Sequence, residues 1–210
     1  MKIFIDSADT HEIENCYDTG LIDGVTTNPT LFRKTGRKPL DVYRELDLMG
    51  IRDISMEVTE PSAMISEGKE LYEIFGDIAT IKLPMTVEGL MACEFLSSIN
   101  IRTNVTLVFN AAQALLAAKA GATYVSPFVG RIDDQGYAGT EVVRSCAALL
   151  KNTNTKVLAA SIRTTQRVVR SFYNGADIVT MPPKVFWDMY KHVLTDKGLD
   201  IFEEDYEAIG

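Results

Sequence analysis

Residues 79–108, ATIKLPMTVEGLMACEFLSSINIRTNVTLV, hold the pattern that decides the fold. Residues 79–83 and 101–108 are short apolar runs typical of buried strands, and residues 87–99 between them have the pattern of a helix. Parallel strands that are covered by helices on both faces form continuous apolar runs rather than polar–apolar alternations. The segment therefore predicts a strand, a crossover helix and a second, parallel strand.

The same alternation continues towards both ends of the chain. The strand-like runs are residues 2–6, 24–28, 53–59, 79–83, 101–108, 124–129, 156–161 and 177–181. The helical patterns are residues 62–75, 87–99, 111–119, 137–150, 165–173 and 184–192, followed by an acidic amphipathic stretch at 199–209. Eight such units predict an α/β fold, a (β/α)₈ TIM barrel with an additional C-terminal helix, and one domain over residues 1–210.

Single residues mark several of the expected helix ends. Asp9 and Thr164 are suited to cap the helices that follow them, because their side-chain oxygens can accept backbone N–H bonds. Gly121 and Gly175 are suited to end helices before the next strand. No G-x-G-x-x-G motif follows the first strand, which disfavours a dinucleotide-binding fold.

Composition and charge limit the partners that the chain is expected to have. The net charge of −8 disfavours binding to nucleic acid or to an anionic membrane surface. No apolar run approaches the ~20 residues that span a bilayer, and the N-terminus lacks a signal-peptide pattern. Cys16, Cys93 and Cys146 fit neither a disulfide framework nor a zinc pattern. We therefore expect a cytoplasmic protein that binds small molecules.

Polar residues at strand ends are the candidates for chemistry, because (β/α)₈ enzymes carry their active sites at the C-terminal ends of the strands. Lys82 lies within an apolar strand, where burial disfavours its charged form. A neutral lysine amine can attack a carbonyl carbon. The alternative is a lysine that reaches solvent or pairs with Asp6 or Glu57. The candidates are Asp6, Thr26, Asn28, Glu57, Lys82, Thr106, Ser126, Arg131, Ser161 and Arg163.

The acidic and basic candidates have distinct interpretations. Asp6 and Glu57 can move protons to and from a substrate, or they can be buried counter-ions. Arg131, Ser161 and Arg163 follow strands six and seven, where phosphate sites of these barrels often lie. A surface ion pair between Arg131 and a following aspartate is the alternative. His11 and His192, the only histidines, lie on expected helices and predict no metal site.

Five segments stand out in the sequence: FIDSAD at residues 4–9, GVTTNP at 24–29, IKLP at 81–84, GRID at 130–133 and VLAAS at 157–161. They resemble the transaldolase family, in particular its short branch that also contains fructose-6-phosphate aldolases. The resemblance runs from the first strand to the eighth. It implies sugar-phosphate substrates, no cofactor and a homo-oligomer, since short members of this family tend to form decamers built from rings.

The resemblance also implies a role for each candidate. Lys82 would form the Schiff base, and Asp6 would exchange the proton of the substrate hydroxyl. Glu57 and Thr106 would hold and activate a catalytic water. Arg131, Ser161 and Arg163 would bind the substrate phosphate. The other residues that would bind substrate are Thr26, Asn28, Ser126 and Phe128.

The implied activity is transaldolase. Such an enzyme moves a dihydroxyacetone unit from sedoheptulose 7-phosphate to glyceraldehyde 3-phosphate, giving erythrose 4-phosphate and fructose 6-phosphate in the pentose phosphate pathway. A fructose-6-phosphate aldolase that releases free dihydroxyacetone is the first alternative. That branch has Gln where this chain has Glu57 and Tyr where it has Phe128, so both residues favour transaldolase. A barrel that binds phosphosugars without catalysis is the second alternative.

Overall fold

A closed barrel of eight parallel strands forms the centre of the protein, as seen in the computed structural model, which describes residues 1–58 and 60–209. Each strand pairs with the next in chain order, and β1 pairs with β8 to close the barrel. The predicted (β/α)₈ fold is thereby confirmed. The strands are β1 (Lys2–Asp6), β2 (Gly24–Thr26), β3 (Ile54–Glu57), β4 (Ala79–Pro84), β5 (Thr103–Val108), β6 (Tyr124–Pro127), β7 (Lys156–Ala159) and β8 (Ile178–Met181).

Helices surround the barrel, and a 3₁₀ turn at Gly76–Ile78 precedes β4. Asp9 accepts bonds from the N–H groups of His11 and Glu12, and Thr164 accepts one from Arg167, as expected of caps. The helices are α1 (Thr10–Tyr17), α2 (Pro29–Thr35), α3 (Pro39–Leu48), α4 (Met64–Phe75), α5 (Val87–Ser98), α6 (Ala111–Lys119), α7 (Val129–Asp133), α8 (Gly139–Leu150), α9 (Thr165–Tyr173), α10 (Pro183–Asp188) and α11 (Val193–Ile209).

Several predicted bounds were wrong. Helix α10 ends at Asp188 rather than at residue 192, and the C-terminal helix begins at Val193 rather than at residue 199. His192 explains the early start, because its ring Nδ1 accepts the N–H of Leu194 at 3.1 Å and so caps α11. The third strand ends at Glu57, and residue 59 of the predicted strand lies outside the described residues.

Two hydrophobic layers hold the barrel. A large cluster fills the space between the sheet and the helices, and a smaller one inside the barrel contains Phe4, Tyr124, Leu158 and Ile178. Side chains two residues apart on a strand share a face. The residues that follow Phe4 and Tyr124 on the inner face are therefore Asp6 and Ser126, which places polar side chains above this apolar layer.

The N-terminal ends of the strands are joined by a buried polar network around Asp53. Its carboxylate accepts bonds from the hydroxyls of Thr80 at 2.9 Å and Tyr124 at 2.6 Å, and it pairs with Arg102 at 2.9 Å. This end of a (β/α)₈ barrel usually contributes to stability rather than to chemistry. In the parts of the chain that the structure describes, no helix is both long and apolar enough to cross a membrane.

Candidate active site

A cavity opens at the C-terminal ends of the strands, where the sequence predicted the site. All predicted site residues line it except Glu57 and Arg163. Convergent polar groups in a barrel mouth are typical of a small-molecule site. The lining residues are Asp6, Thr26, Asn28, Lys82, Asn104, Thr106, Ser126, Phe128, Arg131, Leu158, Ala160, Ser161 and Thr180.

Lys82 lines this cavity, and only 6% of its surface is exposed. Its ammonium donates to the backbone carbonyl of Thr27 at 2.8 Å and to Glu57 Oε2 at 2.9 Å. The pairing of β3 with β4 sets Glu57 opposite Lys82 in register. The side chain therefore does not extend to bulk solvent, and a carboxylate that can take its proton lies in direct contact.

Asp6 lies at the end of β1, two strands from β3, and its carboxylate is held by Thr26. Thr26 Oγ1 donates to Asp6 Oδ1 at 2.8 Å and lies 2.7 Å from Thr180 Oγ1. Thr26 has one hydroxyl proton, so Thr180 must be the donor in their contact. Burial raises the pKa of Asp6 above its usual range, although the charge of Lys82 and the bond from Thr26 act in the opposite direction.

Asp6→Asn should raise the melting temperature at pH 7. A carboxyl with a raised pKa in the folded state loses stabilising free energy as the pH rises through that pKa. The amide cannot ionise, and its oxygen still accepts from Thr26. We expect the melting temperatures of the two proteins to converge as the pH falls to ~4, the ordinary pKa of an aspartate. Asp18→Asn, at an exposed site, is the control. A gain that does not depend on pH would contradict the burial of an ionised Asp6.

Thr106 presents a hydroxyl without a protein partner. Its Oγ1 is buried and, within the described part of the chain, forms no hydrogen bond. The pairing of β5 with β6 shifts register between Val105 and Val108, and Leu107 has a left-handed φ of 61°. Such irregularities often turn a side chain towards a site. An orphaned hydroxyl in a cavity is suited to bind a water or a substrate hydroxyl.

Asn104 and Thr180 are site residues that the sequence analysis missed. Asn104 is fully buried, donates to Ser55 Oγ at 3.1 Å and accepts from Ser126 Oγ at 2.7 Å. Asn104 and Thr180 lie inside their strands, whereas the candidates other than Lys82 were sought at strand ends. A buried amide two residues before Thr106 on the same strand face was the available signal. Asn28, which was predicted to bind substrate, also caps α2 by accepting the N–H of Leu31 at 3.1 Å.

The basic wall of the cavity lies beyond β6. The guanidinium of Arg131 stacks over the ring of Phe128, 5.0 Å from its centre. Among residues 1–58 and 60–209, Arg131 has no ion pair within 4 Å, so the predicted alternative of a pair with an aspartate is not seen. Ser161 follows β7 with a left-handed φ of 58°. A side chain on Gly130 would collide with the Ser161 carbonyl at 2.3 Å, so glycine permits this close approach.

Arg163 lies apart from the cavity in this structure. It forms a two-pronged ion pair with Asp134, with Nη2 at 2.6 Å from Oδ2. The pair raises the pKa of Arg163 and lowers the pKa of Asp134. About half of the Arg163 side chain is exposed, so the pair contributes little to stability. A ligand phosphate could attract this guanidinium only in competition with Asp134.

Glu57 borders a second cavity between α3 and α4 rather than the one at the barrel mouth. Leu40, Tyr43, Leu71 and Ile74 form its apolar wall, and Glu70 lies at its rim. The carboxylate of Glu57 nevertheless contacts Lys82, because the two residues lie opposite each other in the pairing of β3 with β4. Among the described residues, no three His, Cys, Asp or Glu side chains are grouped to hold a metal ion.

This cavity, at the C-terminal end of a closed barrel and around a buried lysine, is that of a (β/α)₈ barrel enzyme. A family model described as "Transaldolase/Fructose-6-phosphate aldolase" matches residues 3–209. A probable transaldolase of Caulobacter vibrioides (strain NA1000 / CB15N) is 50% identical over 100% of this chain and 98% of its own. One of Maricaulis maris (strain MCS10) is 49% identical over the same shares. The chain belongs to the transaldolase/fructose-6-phosphate aldolase family and is an enzyme of aldolase or transferase type.

Proposed function

We propose that the protein is a transaldolase, with Lys82 as the residue that forms a Schiff base with a ketose phosphate. The contact between the buried Lys82 and Glu57 Oε2 at 2.9 Å carries the proposal. It gives an amine that is shielded from water together with a carboxylate that can take its proton. The names of the relatives support the transferase, whereas the family description includes the aldolase as well.

The first half-reaction begins with attack of the Lys82 amine on the C2 carbonyl of the ketose. The resulting carbinolamine loses water, and the product is an iminium that withdraws electrons. Glu57 and the unpartnered hydroxyl of Thr106 are the groups suited to bind and activate that water. Asn104 and Ser126, which are already hydrogen-bonded to each other, border the site of the iminium.

Cleavage follows when Asp6 removes the proton of the C4 hydroxyl. The C3–C4 bond breaks, its electron pair moves onto the iminium to give an enamine, and an aldose phosphate leaves. The raised pKa of Asp6 suits a group that must accept and return a proton. In the second half-reaction the enamine carbon attacks the aldehyde of another aldose phosphate. Asp6 then protonates the new alkoxide, and water releases the ketose from Lys82.

Arg131 and Ser161 would bind the substrate phosphate, with Arg163 joining them if its pair with Asp134 opens. Arg131→Ala should raise KM for fructose 6-phosphate by roughly 30- to 150-fold, which corresponds to ~2–3 kcal/mol for a lost charge-assisted contact. Free dihydroxyacetone as donor should be affected much less. Arg144→Ala removes an exposed arginine of α8 and is the control. Equal losses on both donors would place Arg131 outside the phosphate site.

The test of the proposed activity compares turnover of fructose 6-phosphate with and without erythrose 4-phosphate. A transaldolase depends on the acceptor, because the dihydroxyacetone unit stays on Lys82 until an aldose takes it. Acceptor-independent release of free dihydroxyacetone would assign the protein to the aldolase branch. If borohydride traps no sugar on the protein, the result would instead support the second alternative, a barrel that binds phosphosugars without catalysis.

We also propose that the chain forms a homo-oligomer in the cytoplasm. Helix α11 has no buried residue, and Leu199, Phe202, Tyr206 and Ile209 recur along it at helical spacing. A second copy of the chain would cover this stripe. Analytical ultracentrifugation of the full chain measures the mass directly, and a monomer at micromolar concentration would contradict the proposal.

A further inference from the structure

Tyr43 is a buried, ionisable residue that the mechanism above does not use. It lies on α3 with 1% of its surface exposed and is the largest of the fully buried side chains. Its ring packs edge-on against Phe32 and Phe75, with ring centres 5.7 and 6.0 Å away. These contacts from α2 and α4 fix the plane of the phenol and leave its hydroxyl directed at the ends of β2 and β3.

The hydroxyl of Tyr43 contacts both of the segments that hold Lys82. It lies 3.2 Å from Thr27 Oγ1, and the backbone of Glu57 is a second hydrogen-bond partner. Thr27 supplies the carbonyl that accepts from Lys82 Nζ at 2.8 Å, and Glu57 supplies the carboxylate at 2.9 Å. One phenol therefore connects the two acceptors of the reactive amine.

The phenol stays protonated throughout the working range of an enzyme. Burial raises the pKa of Tyr43 to about 12, so the group acts as a neutral hydrogen-bonding hydroxyl and not as a base. Thr27 is itself fully buried, and its Oγ1 also donates to the Ser55 carbonyl at 3.1 Å. The side chain of Thr27 is thus held from two sides, next to the carbonyl that accepts from Lys82.

We propose that Tyr43 is a positioning residue that sets the orientation of Lys82 by holding Thr27 and Glu57 in place. The inference rests on the proposed Schiff-base function of Lys82. The attacking nitrogen must meet the C2 carbonyl at a defined distance and angle, and small displacements of a reacting atom lower rates steeply. The hydroxyl therefore affects the rate of imine formation, whereas it does not touch the substrate and should leave substrate binding unchanged.

Tyr43→Phe is the direct test, because it removes the hydroxyl and keeps the ring packing. We expect the single-turnover rate of imine formation at saturating fructose 6-phosphate, measured by rapid quench into borohydride, to fall by about 10-fold. The concentration that gives half-maximal trapping should stay within about 2-fold of the wild type, since no substrate contact is lost. Rates are expressed per folded molecule, so a loss of stability alone does not change them.

Tyr124→Phe is the matched control. It removes another buried phenol hydroxyl, the donor to Asp53 at 2.6 Å, at the opposite end of the barrel. This variant should lower the melting temperature and leave the trapping rate of the folded protein unchanged. Equal trapping rates in Tyr43→Phe and the wild type would overturn the inference, and so would equal losses in Tyr43→Phe and Tyr124→Phe.

A double-mutant cycle with Thr27→Val tests the route of the effect. Valine removes Oγ1 and keeps the backbone carbonyl that Lys82 uses. If Tyr43 acts through Thr27, the double variant should lose clearly less than the product of the two single losses. Losses that multiply fully would overturn the inference. If the wild-type protein traps no sugar, the proposed Schiff base itself is wrong. If the wild type traps sugar and Tyr43→Phe traps it at the same rate, only the inference about Tyr43 is wrong.

Discussion

Lys82→Arg should abolish turnover and borohydride trapping, with a loss on the order of 10⁴-fold or more, as expected when a covalent nucleophile is removed. Arginine keeps the positive charge and can still pair with Glu57, but it offers no neutral amine at working pH. The expected loss therefore isolates nucleophilic attack from the charge of the side chain. The measurement is incorporation of labelled fructose 6-phosphate after borohydride reduction, followed by mass analysis of the peptide that contains residue 82.

The guanidinium is larger than the ammonium that it replaces in a site with 6% exposure, so the fold needs an independent check. Lys82→Met has a similar length and no charge, and it should trap no sugar either. Lys156→Arg changes a lysine at the N-terminal end of β7, where it pairs with Asp177, and should leave trapping intact. Normal trapping in either variant would exclude Lys82 as the residue that forms the Schiff base.

The eight strands could be predicted because burial on both faces leaves a direct mark in the sequence. The apolar runs around Ile81 and Val105 have no solvent-facing side to interrupt them. The helices α2 and α3, which lie between β2 and β3, were missed. Pro29 and Pro39 at their first positions were the available signals.

The candidate site could be predicted only as far as strand ends define it. Residues such as Asp6 and Lys82 converge because parallel strands all end at one mouth of the barrel. Contacts that depend on packing between helices and strands left no such mark. The pair of Arg163 with Asp134 and the contact of Tyr43 with Thr27 belong to this second kind.

Glu57→Gln should lower the rate of dihydroxyacetone transfer by ~10²-fold or more, the usual scale for losing a general base. The amide oxygen can still accept from Lys82, but it cannot take a proton from the amine or from a catalytic water. Glu70→Gln is the matched control, because Glu70 lines the same cavity between α3 and α4 without contacting Lys82. It makes the same change of charge and should leave the transfer rate within about 2-fold of the wild type.

The same substitution tests whether Glu57 decides between transferase and lyase. Water enters the iminium when the ketose is released, so a weaker base at Glu57 changes how the bound unit divides between an aldose acceptor and water. We expect chemistry on free dihydroxyacetone to be spared relative to transfer, more so when Phe128→Tyr adds a hydroxyl to the wall beside Arg131. Both rates are measured side by side in the single and double variants. If both activities fall by one factor, Glu57 serves the two reactions alike, and the preference for transaldolase over aldolase loses its chemical basis while the role of Lys82 stands.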